Sequence, residues 1–415
     1  MQQQQVIIIG GGVIGLTSAW WLAEAGYKVT LLERNEQVGI AASYRNGGQL
    51  SYRYVAPLAD AGVPLKALQW LLRKDGPLRF RPEADWRQWH WLASFLRNCN
   101  AASNARTTAK LLELGELSRA GMAQLELAVP PDAYAWRDAG KLIIYRSQAM
   151  FQRAVSRPAS ETRLVLTPAQ AVRREPALAA LQDALAGAIF TEGEAVADCH
   201  AFCLALATRL RQHPNCALLL KGEASKLIVR NGKVTGVETS LGRMKADQYV
   251  LAAGIQSRDL AASAGIYLPL YPLKGYSLTA PVRAHHLAPE ISITDFERKV
   301  LYARIKGSLR VAAMVDMVGA DTRIDPGRIA GLKRLAREAM PQAADYEHAT
   351  AWAGLRPATP NSAPLVGASK VANLWLNVGH GPLGFTFAAG TARILADLMS
   401  GKMPPFALDC LAPKT

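Results

Sequence analysis

Val6-Ile7-Ile8-Ile9-Gly10-Gly11-Gly12-Val13-Ile14-Gly15 lies almost at the start of the chain and decides the reading of the fold. A run of β-branched residues suits a strand buried on both faces. Gly10, Gly12 and Gly15 follow in G-x-G-x-x-G spacing, and Leu16 to Gly26 then reads as a helix that stops at a glycine. A second apolar run, Val29-Thr30-Leu31-Leu32, ends in Glu33, 18 residues past Gly15. Gly10 permits the tight turn, Gly12 lets the main chain approach a pyrophosphate, and Gly15 lets helix and sheet pack closely. The pyrophosphate is expected on the free N–H groups of the helix start, around Val13 and Ile14. Glu33, with Arg34 beside it, has the spacing of an acid that binds a ribose hydroxyl. The stretch predicts a strand–turn–helix–strand unit that holds a dinucleotide.

Met1 to Ala23 carries no charged side chain, so a membrane anchor competes with that reading. Three consecutive glycines argue against it, since each costs about 1 kcal/mol in a helix. Gln2 to Gln5 stand where a cleaved signal would be positive, so the chain is expected to fold in the cytosol. A chain of 415 residues calls for two or more domains. Its five cysteines, Cys99, Cys199, Cys203, Cys216 and Cys410, form no C-x-x-C pair and read as reduced thiols, with no metal site. The formal charge of +15 asks for an anionic counterpart. No helix-turn-helix, zinc-finger or RNA-binding signature accompanies it, which sets nucleic acid aside.

Gly39 to Leu50 is polar and glycine-rich, suited to wrapping a ligand. Residues 65–100 hold Trp70, Trp86, Trp89 and Trp91 among Lys66, Arg73, Lys74, Arg79, Arg81, Arg87 and Arg97. Two helical patterns there, Leu65–Leu72 and Trp86–Leu96, fit either an amphipathic pair packed on its own protein or a surface lying in a membrane interface. Residues 104–128 read as a helix, 141–145 as a strand and 148–186 as mainly helical. Asp198 is placed to cap a helix over Cys199–Arg211. Ala224–Arg230 and Lys233–Thr239 are strands joined by the type I′ turn Asn231-Gly232. A third strand follows Gly242, and Gln248 to Gly254 is a buried strand closing the first sheet. Leu268–Thr279, Val300–Ile305 and Leu309–Val315 predict an antiparallel sheet, with a helix over Pro326–Met340. A second glycine turn, Gly379-His380-Gly381-Pro382-Leu383-Gly384, opens the last helix.

The first glycine turn, Gly354-Leu355-Arg356-Pro357 and Gly379–Gly384 together resemble the flavin-dependent D-amino acid oxidase superfamily. Within it, Ala56-Pro57, Gly62–Ala67, Leu96–Cys99 and Tyr271–Leu278 look like the bacterial D-amino acid dehydrogenase small subunit family. The resemblance implies an α/β fold: a discontinuous Rossmann-type FAD-binding domain plus an α+β substrate domain with an antiparallel sheet. Residues 1–60, 148–265 and 353–415 are expected in the former, 266–352 in the latter, and 61–147 in a helical segment that leads into it. It implies non-covalent FAD, oxidation of a D-amino acid to an imino acid that water hydrolyses to a 2-oxo acid and ammonia, and electron delivery to a quinone or other carrier at the inner face of the cytoplasmic membrane.

Carried over by resemblance, Gly10, Gly12 and Gly15 are similar to the family's pyrophosphate turn and Glu33 to its ribose acid. Ser43, Asn46, Gly48, Gln49 and Leu50 are expected along the flavin, Ala224 at the adenine, and Gly254 over the cofactor. Gly379, Gly381, Leu383, Gly384 and Thr386 are expected at the flavin pyrimidine, and His380 near its C2 carbonyl or as a structural turn residue. Arg356 is the expected carboxylate ligand, because a guanidinium fork matches a carboxylate. Tyr276 and Tyr54 are expected either over the substrate or in the core. No catalytic base is assigned, since hydride passes from Cα to flavin N5 and the chemistry is the cofactor's. Tyr52-Arg53 stand where the family usually has Pro-Gly, Asn361-Ser362 where it has Asp-Gly, and Tyr302 where an aliphatic is commoner. These positions are expected in or near the substrate site, with Tyr302 among the substrate-binding residues. A bulkier entrance suits small or cyclic substrates, D-proline or cis-4-hydroxy-D-proline, and a glycine- or sarcosine-type oxidase releasing hydrogen peroxide is the rival enzyme.

Overall fold

Alternation along β1 (Gln5–Ile9) sends Val6 and Ile8 into one apolar core and Ile7 and Ile9 into another, which is why the run is apolar throughout. The computed structural model describes residues 3–72, 76–156 and 163–413. β1 pairs in parallel with β2 (Lys28–Leu32) and β13 (Gln248–Leu251). β9 (Cys216–Leu219), β20 (Leu374–Val378) and the antiparallel edge β19 (Leu365–Ala368) complete a six-stranded sheet in the order β19-β20-β13-β1-β2-β9. One face is covered by α1 (Val13–Glu24), α7 (Cys199–Gln212) and α10 (Gly384–Met399), with α4 (Ala101–Leu125) packed on α10. The other face carries the meander β10 (Ala224–Arg230), β11 (Lys233–Thr239) and β12 (Gly242–Met244), with α8 (Ser257–Ser263). Asn231 and Gly232 take the left-handed φ of +49° and +71° that the hairpin turn requires. Asp198 caps α7 as expected, its Oδ1 accepting from the His200 and Ala201 N–H groups at 3.0 and 3.1 Å.

A nine-stranded sheet stands against this unit. It contains β4 (Leu78–Phe80), β5 (Lys141–Tyr145), β6 (Arg163–Leu166), β7 (Gly187–Thr191), β14 (Tyr271–Pro281), β15 (Ser292–Asp295), β16 (Val300–Ile305), β17 (Ser308–Met317) and β18 (Thr350–Ala358). Its outer face is apolar and is covered by α6 (Pro168–Arg174) and α9 (Pro326–Ala339). The short pair β3 (Gln49–Leu50) and β8 (Ala195–Val196) lies in the seam between the two large sheets. The remaining helices are α2 (Val63–Leu71), α3 (Trp86–Asn98) and α5 (Gln148–Val155).

Several segments differ from their sequence reading. Residues 148–186 are mainly helical as expected, but β6 interrupts them; it is a four-residue edge strand held by pairing with β7. Residues 157–162 of that stretch, like Arg73, Lys74, Met1 and Gln2, lie outside the described residues. The Gly76-Pro77 spacer leads into β4, which pairs with β17, and the unforeseen β15 fills the gap between β5 and β16. The strand expected from Leu268 begins at Tyr271. β6 and β7, within residues 148–265, and β18, which runs across the expected boundary at 353, belong to the nine-stranded sheet. No helix among the described residues is long and apolar enough to cross a membrane.

The closest packing in the first sheet is at Gly15, where an added Cβ would stand 1.8 Å from the Gly10 carbonyl oxygen. Gly15→Ala is expected to lower stability by about 1–3 kcal/mol, read as a shift in the denaturant midpoint; an unchanged midpoint would show that this contact is not tight in solution.

Candidate functional site

The glycine turn is built by sterics. Gly10 has φ +115° and lies on the Ala252 carbonyl, where a Cβ would meet the oxygen at 2.5 Å. Gly12, by contrast, faces open space, with only Ser43 Oγ 3.6 Å from its would-be Cβ. Ser43 is buried, and its hydroxyl accepts the Val13 N–H at 3.1 Å. The first turn of α1 has neither a side-chain cap on Gly12 nor an acid, so its N–H groups and dipole remain suited to an anion. Ile14 is half-buried in the same turn. The Glu33 carboxylate is buried and fixed: Oε2 accepts the Gly11 N–H at 2.8 Å, and Oε1 accepts the N–H and Nδ2 of Asn35 at 2.9 and 2.5 Å. Arg34 beside it is exposed. Gly254 has φ +58° and nothing within 4 Å of a would-be Cβ, and half-buried Ala224 opens β10.

The loop from Tyr44 to Ser51 is tied to both sheets. Ser277 Oγ on β14 donates to the Arg45 carbonyl at 2.7 Å, and Arg310 Nη1 on β17 donates to the Asn46 carbonyl at 2.7 Å. Asn46 Oδ1 accepts the Gly48 N–H, and the Gly48 carbonyl accepts the Ala197 N–H at 2.8 Å. Gly48 needs to be glycine: its φ is +65°, and a Cβ would stand 2.3 Å from Ile305 Cδ1. Gln49 and Leu50 pair with β8, and the Ser51 N–H donates to Thr386 Oγ1 at 3.2 Å. Thr386 lies in the first turn of α10, which again has no side-chain cap and no acid. Before it, Gly379 and Gly381 take φ +82° and +54°, and Leu383 and Gly384 are half-buried. The structure therefore brings Ser43, Asn46, Gly48, Gln49, Leu50 and Thr386 into one seam lined by two uncapped helix starts.

Tertiary packing decides between the alternatives left open for His380 and Tyr276, and turns Tyr302 away from the substrate side. The His380 ring is directed into α10, with Nε2 3.0 Å from Thr391 Oγ1, and burial drives its pKa down to about 3. It is a neutral turn residue whose imidazole is already engaged, so only its main chain is left to face the seam. Tyr276 is fully buried on the outer face of the sheet, beneath α9, and its hydroxyl donates to Asp316 Oδ2 at 3.1 Å. Asp316 in turn pairs with buried Arg328. Tyr302 packs in the same outer core with no partner for its hydroxyl. Strand alternation explains both: Gly275 and Ser277 face inward from β14, and Leu301 and Ala303 face inward from β16, so Tyr276 and Tyr302 must face out. Tyr54 is on the inner side, half-buried, with its ring 4.8 Å from Lys141 Nζ.

Arg356 is on the inner face of β18. Its guanidinium lies flat on Gly275, where a Cβ would fall 2.1 Å from Nη2. Nη1 donates to the Met314 carbonyl at 2.9 Å. Met314 has the left-handed φ of +70°, beside a register shift in the β14–β17 pairing, and this conformation aims its carbonyl at the arginine. Burial pulls the guanidinium down to about 10 while Asp316 opposes the shift, so Arg356 is cationic at neutral pH. Among the described residues no carboxylate forms an ion pair with it. Two residues along, Trp352 lays its ring on Gly354, whose would-be Cβ is 2.1 Å from the indole. Trp352, Met314, Arg310 and Lys141 were not found from the sequence, because each gains its position from strand register.

The residues fit FAD: an open glycine turn, a fixed buried acid, and two helix starts on one seam. A family model described as FAD dependent oxidoreductase matches residues 5–398. The chain is 50% identical over 405 residues to "D-amino acid dehydrogenase 2" of Pseudomonas aeruginosa, covering 97% of this chain and 96% of that protein. It is 44% identical over 416 residues to "D-amino acid dehydrogenase 2" of Ralstonia nicotianae, covering 97% and 98%. Glycine oxidase from Geobacillus kaustophilus shares the fold, with a TM-score of 0.73 at 22% identity and full coverage of both chains. L-proline dehydrogenase from P. horikoshii does so with a TM-score of 0.72 at 17% identity, covering 97% of this chain and 94% of that one. The chain belongs to the FAD dependent oxidoreductase family, among its D-amino acid dehydrogenases.

Proposed function

We infer that the chain oxidises D-amino acids to 2-oxo acids and ammonia with FAD, and that the electrons go on to a quinone or another carrier rather than to oxygen. The observation that carries the substrate class is Arg356: a partly buried guanidinium, cationic at neutral pH, with which no carboxylate among the described residues forms an ion pair. Leaving a buried charge unpaired is costly, and a substrate carboxylate, bound bidentately, removes that cost. Trp352 and Gly354 form the neighbouring wall, so substrate shape is read beside the carboxylate. Tyr276 and Tyr302 take no part, which leaves Tyr54 as the inner-face tyrosine. Bound FAD supplies the two-electron acceptor.

The chain's own groups hold that cofactor. The N–H groups of the α1 turn, from Gly12 to Gly15, would take the pyrophosphate, with the Ser43 hydroxyl alongside. Glu33 would accept from a ribose hydroxyl, with Arg34 at the rim and Ala224 at the adenine end. Gly254, Asn46, Gly48, Gln49 and Leu50 would line one side of the flavin, and the Gly379–Gly384 turn with Thr386 the other. The main chain's part at residue 380 does not need the imidazole.

A peripheral membrane site suits the carrier. Leu65, Leu68 and Leu72, on and just after α2, are 72%, 63% and 88% exposed and share one helix face; Trp86 and Trp89 on α3 are 60% and 48% exposed. Trp91, in contrast, is buried against Phe95 and Tyr271. Core packing thus explains one tryptophan of the pair of helices, while the exposed apolar residues on a chain of charge +15 suit an anionic bilayer surface.

Arg356→Ala is expected to retain FAD, seen by its visible absorbance, and to raise KM for a D-amino acid about 100-fold; an unchanged KM would remove Arg356 from the site. Turnover with D-amino acids should reduce an artificial dye or quinone without hydrogen peroxide, and stoichiometric peroxide in air would instead make the enzyme an oxidase. The double substitution Leu65→Glu with Leu68→Glu should weaken sedimentation with phosphatidylglycerol vesicles at least about tenfold while dye reduction in solution is unchanged; equal sedimentation would take α2 out of any membrane contact.

A further inference from the structure

Lys141, the first residue of β5, is one of the most deeply buried cations of the chain, at 2% exposure, and the carboxylate-binding role of Arg356 does not account for it. Its ammonium donates to Gln49 Oε1 at 2.5 Å and to Ser51 Oγ at 3.0 Å, and it lies over the Tyr54 ring. Among the described residues no carboxylate is within ion-pair distance of it. The acceptors are not incidental. Gln49 and Ser51 are the strand β3 and the residue after it, where the loop along the proposed flavin site meets α10 through the Ser51–Thr386 hydrogen bond. Lys141 therefore ties the nine-stranded sheet, through Ser51, to the start of α10. The other end of the Gln49 amide points to the same sheet, its Nε2 3.4 Å from the Ile293 carbonyl.

The surroundings are polar and partly unsatisfied. Ser292, opposite Lys141 in the β5–β15 register, and Thr294 have hydroxyls without a hydrogen-bond partner. Glu194 stands nearby, between β7 and β8; its Oε1 accepts the Arg53 N–H at 2.9 Å and its Oε2 has no partner. The other charged and titratable groups on this seam are engaged or neutral. The Arg53 side chain pairs with Glu116 of α4, Glu116 also pairs with Arg119, and Tyr52 faces Tyr134 and Glu126 with its phenol held protonated by burial. Lys141 and Glu194 are the deeply buried pair on this seam whose charges act on each other, and burial also holds Glu126 above the usual carboxylate range.

We propose that Lys141 is a positioning residue for FAD: its ammonium locks Gln49 and Ser51 against the nine-stranded sheet, and loss of its proton loosens the strand that lines the flavin. This rests on the reading of the seam as the FAD site. Burial pulls the Lys141 ammonium below the ordinary lysine range, with the Glu194 charge opposing, and burial lifts Glu194 above the usual carboxylate range. The sign follows. While the amine keeps its proton its two hydrogen bonds are charge-assisted; once the proton is lost they become ordinary bonds, roughly half as strong. FAD affinity is therefore held at neutral pH and falls as the pH rises. Neutralising Glu194 removes the charge that favours the Lys141 proton, so the fall then begins at lower pH.

The test is the Kd of the apoprotein for FAD, read by fluorescence quenching without substrate, from about pH 6 to about pH 9.5. In the wild type, Kd is expected to rise about tenfold across the upper part of that range. Lys141→Met is expected to bind about tenfold more weakly than the wild type at neutral pH with no alkaline loss of its own, and Lys141→Arg to bind tightly without the alkaline loss, because a guanidinium keeps its proton. Glu194→Gln should move the midpoint of the loss to lower pH. The proposal is overturned if Lys141→Met matches the wild type at every pH, or if Lys141→Arg keeps the wild-type alkaline loss. Should Lys141→Met fail to fold, Lys141→Arg and Glu194→Gln decide the matter by themselves. Failure of the wild type to bind FAD at any pH would instead refute the site, a result distinct from pH-independent binding.

Discussion

Hydrogen bonds between the 45–51 loop and its surroundings hold the two large sheets in the arrangement on which the site depends. A loop buried in a seam must satisfy its main-chain groups within the protein. Here the Arg45 and Asn46 carbonyls are satisfied from β14 and β17, Gly48 by Ala197, and Ser51 by Thr386. The same bonds fix where the six-stranded sheet, with its glycine turn, meets the inner face of the nine-stranded sheet, with Arg356. Gly48 is the tightest point, because its left-handed conformation and its contact with Ile305 leave no room for a side chain. A shift there would move β3, proposed to line the flavin, relative to β18, which carries Arg356.

Buried charge is distributed unevenly across the second sheet, and the asymmetry separates structure from chemistry. On the outer side Asp316 and Arg328 are paired, Tyr276 adds a hydrogen bond, and Arg328 Nη1 reaches the Gly76 carbonyl at 2.6 Å. That network is closed: each member has its partner, and it stitches α9 and the segment before β4 to the sheet. Among the described residues the inner-face cations Arg356 and Lys141 have no carboxylate within ion-pair distance. Their partners are main-chain and neutral side-chain oxygens, which leaves Arg356 able to bind an external anion and makes the Lys141 charge responsive to its surroundings.

Much of the first unit was legible because its signals are local. Glycine spacing, a β-branched run, the Asn231-Gly232 turn and the Asp198 cap are each decided within a few residues, and the structure reproduces them. The position of Arg356 also followed from its setting. The tyrosines did not. Tyr276 and Tyr302 lie in strands whose existence was readable, but which face of the sheet is the inner one depends on what packs on each side, and a one-residue change of register reverses every side chain. Which role His380 takes was open for a related reason: its partner, Thr391, lies about two turns into the following helix and is reached only by the way the glycine turn enters it. β6 and β15 are short, and pairing with neighbours far away in sequence is what makes them strands.

The amino-acid sequence by itself determined a glycine turn of dinucleotide-binding spacing between two strands and a helix, and an antiparallel sheet further along, because sterics and periodicity act over short spans of chain. FAD and the candidate arginine came from its resemblance to a known family. Only the tertiary structure decided which residues share the seam: that Trp352 and Met314 accompany Arg356, that Tyr276 and Tyr302 turn away, and that Lys141 joins Gln49 and Ser51. Those outcomes depend on strand order and register across residues hundreds of positions apart, and burial then sets their protonation, which no local pattern encodes.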